Sequence, residues 1–533
     1  MQGITKKRNG LSMLAVLLAC LVAIATAMMI AGCGGSSDGS SNSDSSQDGK
    51  TLVYATTDYG VEMENAGLNP HSSYSGWSTV RYGVGETLFK FNDEMEPEPW
   101  LATSYEFIDD THCKITLQEG IYFSSGREMD AQAVKECLDD LIATHDRAPS
   151  DTKISSIEAS DDGTYIIIET SEPCPALINY LCDPYGAIID MEYGVTEDDN
   201  VSGTGPYIAT YVSDTEIDLV ANEDYWDGEP QLDSIVVLGF SDGDTLASAL
   251  QSGEIDACQG LSYSEYELFS DESQYTISTA TGSRVFFGEI NYESEIMQDE
   301  AVRQALTMGI DREGFIETLL EGYGSVASGA FPDSMGIEGE TVEYDPEGAA
   351  EILEEAGWTD TDGDGIREKD GQELTIRWLT YPGRVELPLL AEYAQSTLGE
   401  IGFDVQINST ENHATERNDT SSWDVYVSAK VTATTGDPEY FFTSTCVTGA
   451  SANYGGYSNS EVDELVAELS TTFDADERTA IAGEIQQILL DDYGYFFVSH
   501  LEMGFVSTSD VTNLVPHPSD YYQITVDTSI EEE

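Results

Sequence analysis

Basic side chains are scarce in this chain. Lysine and arginine together number 21 in 533 residues, against 100 aspartates and glutamates, for a formal charge of −79. Such a surface repels phosphate backbones and anionic lipid, and no basic patch offsets it, so a nucleic-acid partner is excluded. The acidity itself reads as solubility or adaptation to salt or acid rather than as a cation trap. Histidine is almost as scarce, at six residues, none close to another along the chain. The usual catalytic signatures are missing: there is no Gly-x-Ser-x-Gly elbow, no His-Glu-x-x-His and no Gly-x-x-x-x-Gly-Lys loop. Carboxylates are so abundant that any acid–base pair drawn from them would be arbitrary. No enzyme is expected, and no catalytic residue is assigned.

Cysteine is also limited, and no Cys-x-x-Cys pair exists, so a thiolate zinc site is not expected. Beyond the first 33 residues lie Cys113, Cys137, Cys174, Cys182, Cys258 and Cys446. An even number permits disulfides outside the cytoplasm, although a chain of this size does not need them. Repeats and a stalk are absent, which argues against an adhesin, as the missing motifs argue against a secreted hydrolase. Long hydrophobic runs are absent too, with one exception.

That exception opens the chain. Lys6, Lys7 and Arg8 precede an uncharged segment whose core, residues 11–30, is long and apolar enough to cross a bilayer. It closes on Ile30-Ala31-Gly32-Cys33 and a polar Gly/Ser run. Basic, apolar, then small residues is the order of a secretory signal, and a cysteine at the cut is similar to the lipobox of bacterial lipoproteins. The expectation is a signal peptide over 1–32, a lipid on Cys33 and a body held at the outer face of the cell membrane. Residues 34–50 form a Gly/Ser tether with a mean span of about 20–25 Å.

Hydrophobic residues make up 40% of the chain, enough to build a sizeable core, and the length suggests two or three domains. Strand patterns occur at 51–57, 114–117, 165–170, 207–212 and 216–221. Residues 77–91 pack as a helix and a turn into a strand. Apolar Val134, Cys137, Leu138, Leu141 and Ile142 recur at the three/four spacing of an amphipathic helix over 131–145. In the second half, helical patterns at 298–310, 346–356 and 386–400 alternate with strands at 374–379, 403–408 and 424–428. Helices at 460–470 and 476–491 and a strand near 495–500 follow. This rhythm predicts an α/β protein with mixed sheets and crossover connections.

A series of short strings then runs in order along the chain. They are Glu98-Pro99-Trp100-Leu101-Ala102, Gly203-Thr204-Gly205-Pro206-Tyr207, Tyr225-Trp226, Gly253-Glu254-Ile255-Asp256 and Ile310-Asp311-Arg312. Pro346-Glu347 leading to Glu355-Ala356-Gly357, then Ile401-Gly402-Phe403, complete it. Together they resemble the family 5 extracellular solute-binding proteins, the peptide/nickel class of ABC importer receptors. The resemblance implies a two-lobed, periplasmic-binding-protein-like fold of the class II type, closing like a hinge on its ligand. Carried onto this numbering, lobe I would be 50–284 plus 504–533, with 86–204 as an inserted subdomain, and lobe II would be 285–503. The partners implied are the permease and ATPase subunits of the importer, and the receptor is expected to be a monomer.

The nickel-type branch is the nearer one in the segments 81–89 (RYGVGETLF), 181–190 (LCDPYGAIID), 384–388, 436–441 (GDPEYF), 453–457 and 516–522. Receptors of that branch bind a metal with a small carboxylate chelator, or a metal through histidine. Chelator carboxylates need a fixed cation, and the planar fork of arginine suits them. Arg147 and Arg384 are therefore expected to act together as a clamp, with Arg81 a weaker candidate and Tyr74 and Trp77 stacking on organic cargo. His71, His517 and then His500 are the candidates to face a transition metal, because neutral imidazole is a common nickel ligand. Peptide-type relatives hold the peptide amine with an aspartate at the position of Asp437, which keeps di- or oligopeptide cargo as the alternative. No cofactor is required. Asp360, Asp362, Asp364 and the Ile366 carbonyl match the first half of a calcium loop, with Gly371 where a bidentate Glu belongs and Asp370 or Glu373 as the substitute.

Overall fold

In the computed structural model, residues 49–57, 67–337, 339–340 and 342–531 are described. The signal segment, Cys33 and most of the tether lie outside the described residues. Two long antiparallel strands, Tyr275–Ile290 and Tyr495–Thr508, organise everything else. They sit in the middle of an 11-stranded sheet. On one side of the pair lie Val425–Val431, Thr375–Thr380 and Asp404–Ser409; on the other lie Ala257–Gln259, Thr51–Thr56, Ser234–Gly239, Glu216–Ala221 and Tyr207–Val212. Both flanks mix parallel and antiparallel pairings, with Thr51–Thr56 parallel to Ser234–Gly239 and Thr375–Thr380 parallel to Asp404–Ser409. Because one sheet runs through both halves, the chain from Gly49 onward is a single compact unit.

The register of the long pair breaks between Thr281 and Val285, leaving Gly282, Ser283 and Arg284 outside the regular pairing. A bulge of this kind bends a strand and increases its local twist. A separate four-stranded antiparallel sheet is built from Ala102–Asp109, His112–Leu117, Tyr165–Thr170 and Ile154–Ala159. The helix Ala131–Thr144 packs on it, with Val134, Cys137, Leu138 and Leu141 all buried.

Some of the acidity has a local use. The helices starting at Ala131, Gly243, Glu300, Arg312, Pro346 and Ala475 each have an Asp at the cap whose carboxylate accepts a first-turn N–H. A carboxylate there satisfies an otherwise unpaired donor and complements the helix dipole.

Three of the sequence strings are explained by close packing or hydrogen bonding. A Cβ on Gly203 or Gly205 would stand 2.1 Å from the Val84 carbonyl oxygen or 2.2 Å from that of Gly83, so only glycine fits. The buried carboxylate of Glu86 ties this turn to the Tyr225-Trp226 pair, accepting from Thr204 Oγ1, Tyr225 OH and Trp226 Nε1 at 2.6–2.9 Å. In Ile310-Asp311-Arg312, Asp311 caps the helix while the buried Arg312 donates to the carbonyls of Thr307, Ile310, Val342 and Phe497.

All six cysteines among the described residues are free and buried. No helix there is long and apolar enough to cross a membrane.

Candidate functional site

The helix Ser75–Arg81 and the C-terminal segment around residue 520 meet on the sheet. Arg81 pairs with Asp520, its Nε donating to the Asp520 carbonyl at 2.9 Å, and Trp77 packs edge-on against Tyr521 at 5.1 Å. Beside this junction is a cavity of about 140 Å³ lined by Ser73, Tyr74, Trp77, His145, Arg147 and Tyr185 among others. Arg147 dominates its charge. Its guanidinium donates to Asp183 Oδ2 at 2.5 Å and to Asp151 Oδ2 at 3.3 Å. The rings of Tyr185, Tyr440 and Tyr74 surround it at 5.3, 5.5 and 6.0 Å. Burial opposes its charge, but Asp183, Tyr185 and Asp151 more than offset that and hold it protonated. A cation framed by rings and held by two carboxylates, one hydrogen bond to each, is fixed in place, ready to orient an anionic or aromatic solute.

His145 also lines this cavity but has no lone pair to offer. Its Nδ1 accepts from the backbone N–H of Arg147 and of Ala148, both at 3.1 Å, so Nε2 carries the proton and donates to the Ser73 carbonyl at 3.0 Å. Burial keeps it neutral by pushing its pKa down.

A second cavity, about 440 Å³, is lined by Phe240–Gly243, Gln259–Tyr263, Arg284, Pro382–Glu386, Leu501–Gly504 and Asp520, with Thr57 and Tyr266. Arg384 is here, half-buried just before the helix Glu386–Glu400, and Arg284 enters from the register break. Arg147 and Arg384 thus line different cavities with no lining residue in common, so the structure does not bring the two arginines of the expected clamp to one cavity. Arg147 instead takes its partners from the acids around it, Asp183 and Asp151.

The expected metal ligands are also dispersed. His71 is buried, with Nδ1 at 2.8 Å from Asp140 Oδ2 and Nε2 at 3.6 Å from Cys137 Sγ. This is a thiol–imidazole–carboxylate line that sequence reading missed. The Cys137 thiol is sealed and burial pushes it up to about 12, the opposite of what a nucleophile needs. His517 Nδ1 accepts from the N–H of Ser519 at 3.1 Å and lies 2.7 Å from its hydroxyl, while Nε2 lies 3.9 Å from Asp93 Oδ1. His500 is buried on the long strand opposite Val285, and neither ring nitrogen has a hydrogen-bond partner among the described residues. Burial lowers both His500 and His517 to about 4, so each is neutral but enclosed.

Asp437 does not present an open carboxylate. Arg478 grips it with two hydrogen bonds, at 3.0 and 2.6 Å, and also reaches Glu439 at 3.1 Å.

Asp360, Asp362 and Asp364 do converge, and they are the only group of three or more His, Cys, Asp or Glu so placed among the described residues. Their oxygens accept from their own turn: Asp360 from the N–H of Gly363 and of Gly365, Asp362 from that of Asp364, and Asp364 from that of Ile366. Asp370 is not in the cluster; it turns the adjacent hairpin at φ +55°.

Tyr185, Asp183, Tyr440 and His145 were not singled out from sequence. Asp183-Pro184-Tyr185 lies inside the segment 181–190 that carried the nickel-type resemblance, which was the available signal.

A mixed α/β body threaded by two long central strands, with a fixed cation in an aromatic-walled cavity, is the architecture of a solute-binding protein. The profile of the family described as "Bacterial extracellular solute-binding proteins, family 5 Middle" matches residues 96–453. The chain belongs to this family of receptors. It is 30% identical over 455 residues to the nickel-binding protein NikA of Staphylococcus aureus, covering 85% of this chain and 90% of that one. It is 25% identical over 571 residues to the oligopeptide-binding protein AppA of Bacillus subtilis, covering 97% and 98%. The crystal structure of Staphylococcus aureus NikA in complex with Ni(L-His)2 is similar with a TM-score of 0.75 at 28% identity, covering 91% of this chain and 100% of that one. Its two-lobed fold is the fold of this chain.

Proposed function

We propose that this chain is the lipid-tethered, extracytoplasmic receptor of an ABC importer, and that its cargo is nickel carried by a small organic chelator. The observation that carries the cargo reading is the Arg147 cavity: a fixed guanidinium among three tyrosine rings, with no free imidazole on its wall. Such a seat suits a metal that arrives with its own ligands. The names and contents of the similar NikA proteins support the same reading. Native mass spectrometry of protein purified without denaturation tests it. The expected result is a mass corresponding to nickel plus chelator; a co-purified peptide ladder without transition metal overturns it.

Peptide cargo is the second reading, favoured by the volume of the cavity around Arg284 and Arg384. The grip of Arg478 on Asp437 weighs against it, since the carboxylate that resemblance assigns to the peptide amine is already engaged.

We place the hinge at the register break near Gly282, with lobe I over 50–284 plus 504–533, lobe II over 285–503 and the insertion over 86–204. Cys33 is the anchor: Cys33→Ala should move the protein from the membrane to the soluble fraction, and unchanged fractionation would remove the anchor. The Asp360–Asp364 turn is proposed as a calcium loop on its spacing alone. Millimolar calcium should then raise Tm, and an unchanged Tm removes it.

A further inference from the structure

One residue of the Arg147 cavity wall carries a buried polar group that has no hydrogen-bond partner among the described residues. Tyr185 lines the cavity, is 2% exposed, and its hydroxyl has no hydrogen-bond partner among the described residues. The groups around it are all engaged. Arg147 is held by Asp183 and Asp151, Asp183 also accepts from the Tyr185 backbone N–H, and both ring nitrogens of His145 are bonded. The ring itself is fixed: its centroid lies 5.0 Å from that of His145 and 5.3 Å from the Arg147 guanidinium carbon. Burying a hydroxyl without a partner is costly, and folded proteins seldom tolerate it without a reason. Burial, with Asp183 and Asp151 nearby, raises its pKa well above the usual value, so the group is a donor at any physiological pH.

We infer that Tyr185 is a specificity-determining residue, whose hydroxyl donates to an acceptor oxygen of the bound cargo beside the Arg147 guanidinium. A charged donor and a neutral donor side by side match the two oxygens of a carboxylate. A metal chelator of the amino-acid type supplies one, and so does a peptide C-terminus. A site built around such a hydrogen bond discriminates strongly against ligands that lack the acceptor, because binding them would leave the hydroxyl buried and unpaired. The inference rests on the reading that the Arg147 cavity seats the cargo, but not on which cargo it is.

Tyr185→Phe tests it, since it deletes one oxygen and keeps the ring packed on His145 and Arg147. Wild type and variant are titrated by calorimetry with the nickel(II) bis-L-histidine complex and, separately, with trialanine, and both ligand-free proteins are melted. The expected result is a loss of about ten- to a hundredfold in affinity for whichever probe wild type binds. The ligand-free variant should melt at the same temperature as wild type or higher. Equal affinities, or a variant that melts lower without ligand, overturn the role of Tyr185. Wild type that binds trialanine but not the nickel complex overturns the nickel reading alone, and Tyr185 is then judged on trialanine. Binding of neither probe overturns both.

Discussion

The cavity around Arg147 measures about 140 Å³ and is walled largely by aromatic rings; the one around Arg284 and Arg384 measures about 440 Å³ and is walled by loops and by the middle of the long central strands. In the first, the cation is pinned by Asp183 and Asp151 and stands among Tyr74, Tyr185 and Tyr440. In the second, arginines, Glu386, Glu502 and Asp242 line a larger space that crosses the register break of the long strands. A pinned cation recognises one geometry with little ordering cost on binding, whereas a roomy, mixed-charge wall adapts to ligands of several lengths. The first plan fits a compact chelate and the second a peptide, so perturbing each separately discriminates between the two cargo readings.

The largest effect is expected at Arg147. Arg147→Ala should lower affinity for nickel bis-histidine by about a hundredfold or more, near 3 kcal/mol. It should also destabilise the fold by about 2–4 kcal/mol, because Asp183, with a side chain 3% exposed, loses its counter-ion. Arg147→Lys keeps the charge without the fork and should fall between; calorimetry and chemical denaturation read both effects.

A smaller effect is expected from Asp151. Burial, with Asp183 next, raises its pKa to about 6 against the lowering influence of Arg147. Between pH 7.5 and 5.5 it therefore takes up a proton and the Arg147 cavity becomes more positive. Affinity for anionic nickel–EDTA should rise several-fold on acidification, on the order of 1 kcal/mol, and Asp151→Asn should bind as tightly at pH 7.5 and lose the pH dependence. The folded chain holds this proton more firmly than the unfolded one. Its contribution to stability is thus full below about pH 4 and is lost as pH rises through about 6. A wild-type affinity that drops on acidification would contradict the assignment.

Next comes a contact away from both cavities. Phe107 and Phe473 meet edge-on at 5.0 Å, joining the four-stranded sheet to the turn before the helix Ala475–Asp491. With this contact assigned to the hinge closure proposed above, Phe473→Ala should weaken cargo binding about two- to tenfold, the worth of one aromatic pair. No change in affinity removes it from closure. The smallest effect is expected at Arg384. Arg384→Ala should change nickel-complex affinity less than about threefold, and a loss comparable to that of Arg147→Ala would restore the joint clamp and make the second cavity the seat.

Legibility in the sequence followed periodicity. The helix Ala131–Thr144 is marked by its apolar spacing and the strands Tyr207–Val212 and Glu216–Ala221 by the Gly203–Tyr207 turn that feeds them, and all three stand where expected. Tyr275–Ile290 was not, because its first half (YTISTATG) is polar and partly exposed and carries no buried-face pattern. The strand near 495–500 was seen only in its apolar first half and continues to Thr508. At the site, composition showed that arginine would matter but not which acid each arginine would meet. Asp183 lies 36 residues from Arg147, and Asp437 lies 41 from Arg478. Such pairings depend on the tertiary fold and leave no local trace. Tyr185 is harder still to read, since a buried tyrosine with an unpaired hydroxyl has the same local sequence as one that is bonded.

The most direct test of the central claim is anomalous diffraction at the nickel edge from crystals grown with the nickel bis-histidine complex. The account predicts one strong peak in the cavity of Arg147, Tyr74 and Tyr185, with the complex's carboxylate oxygens facing the guanidinium. A peak beside Arg284 and Arg384, or one held by the Asp360–Asp364 turn with the Arg147 cavity empty, would contradict it.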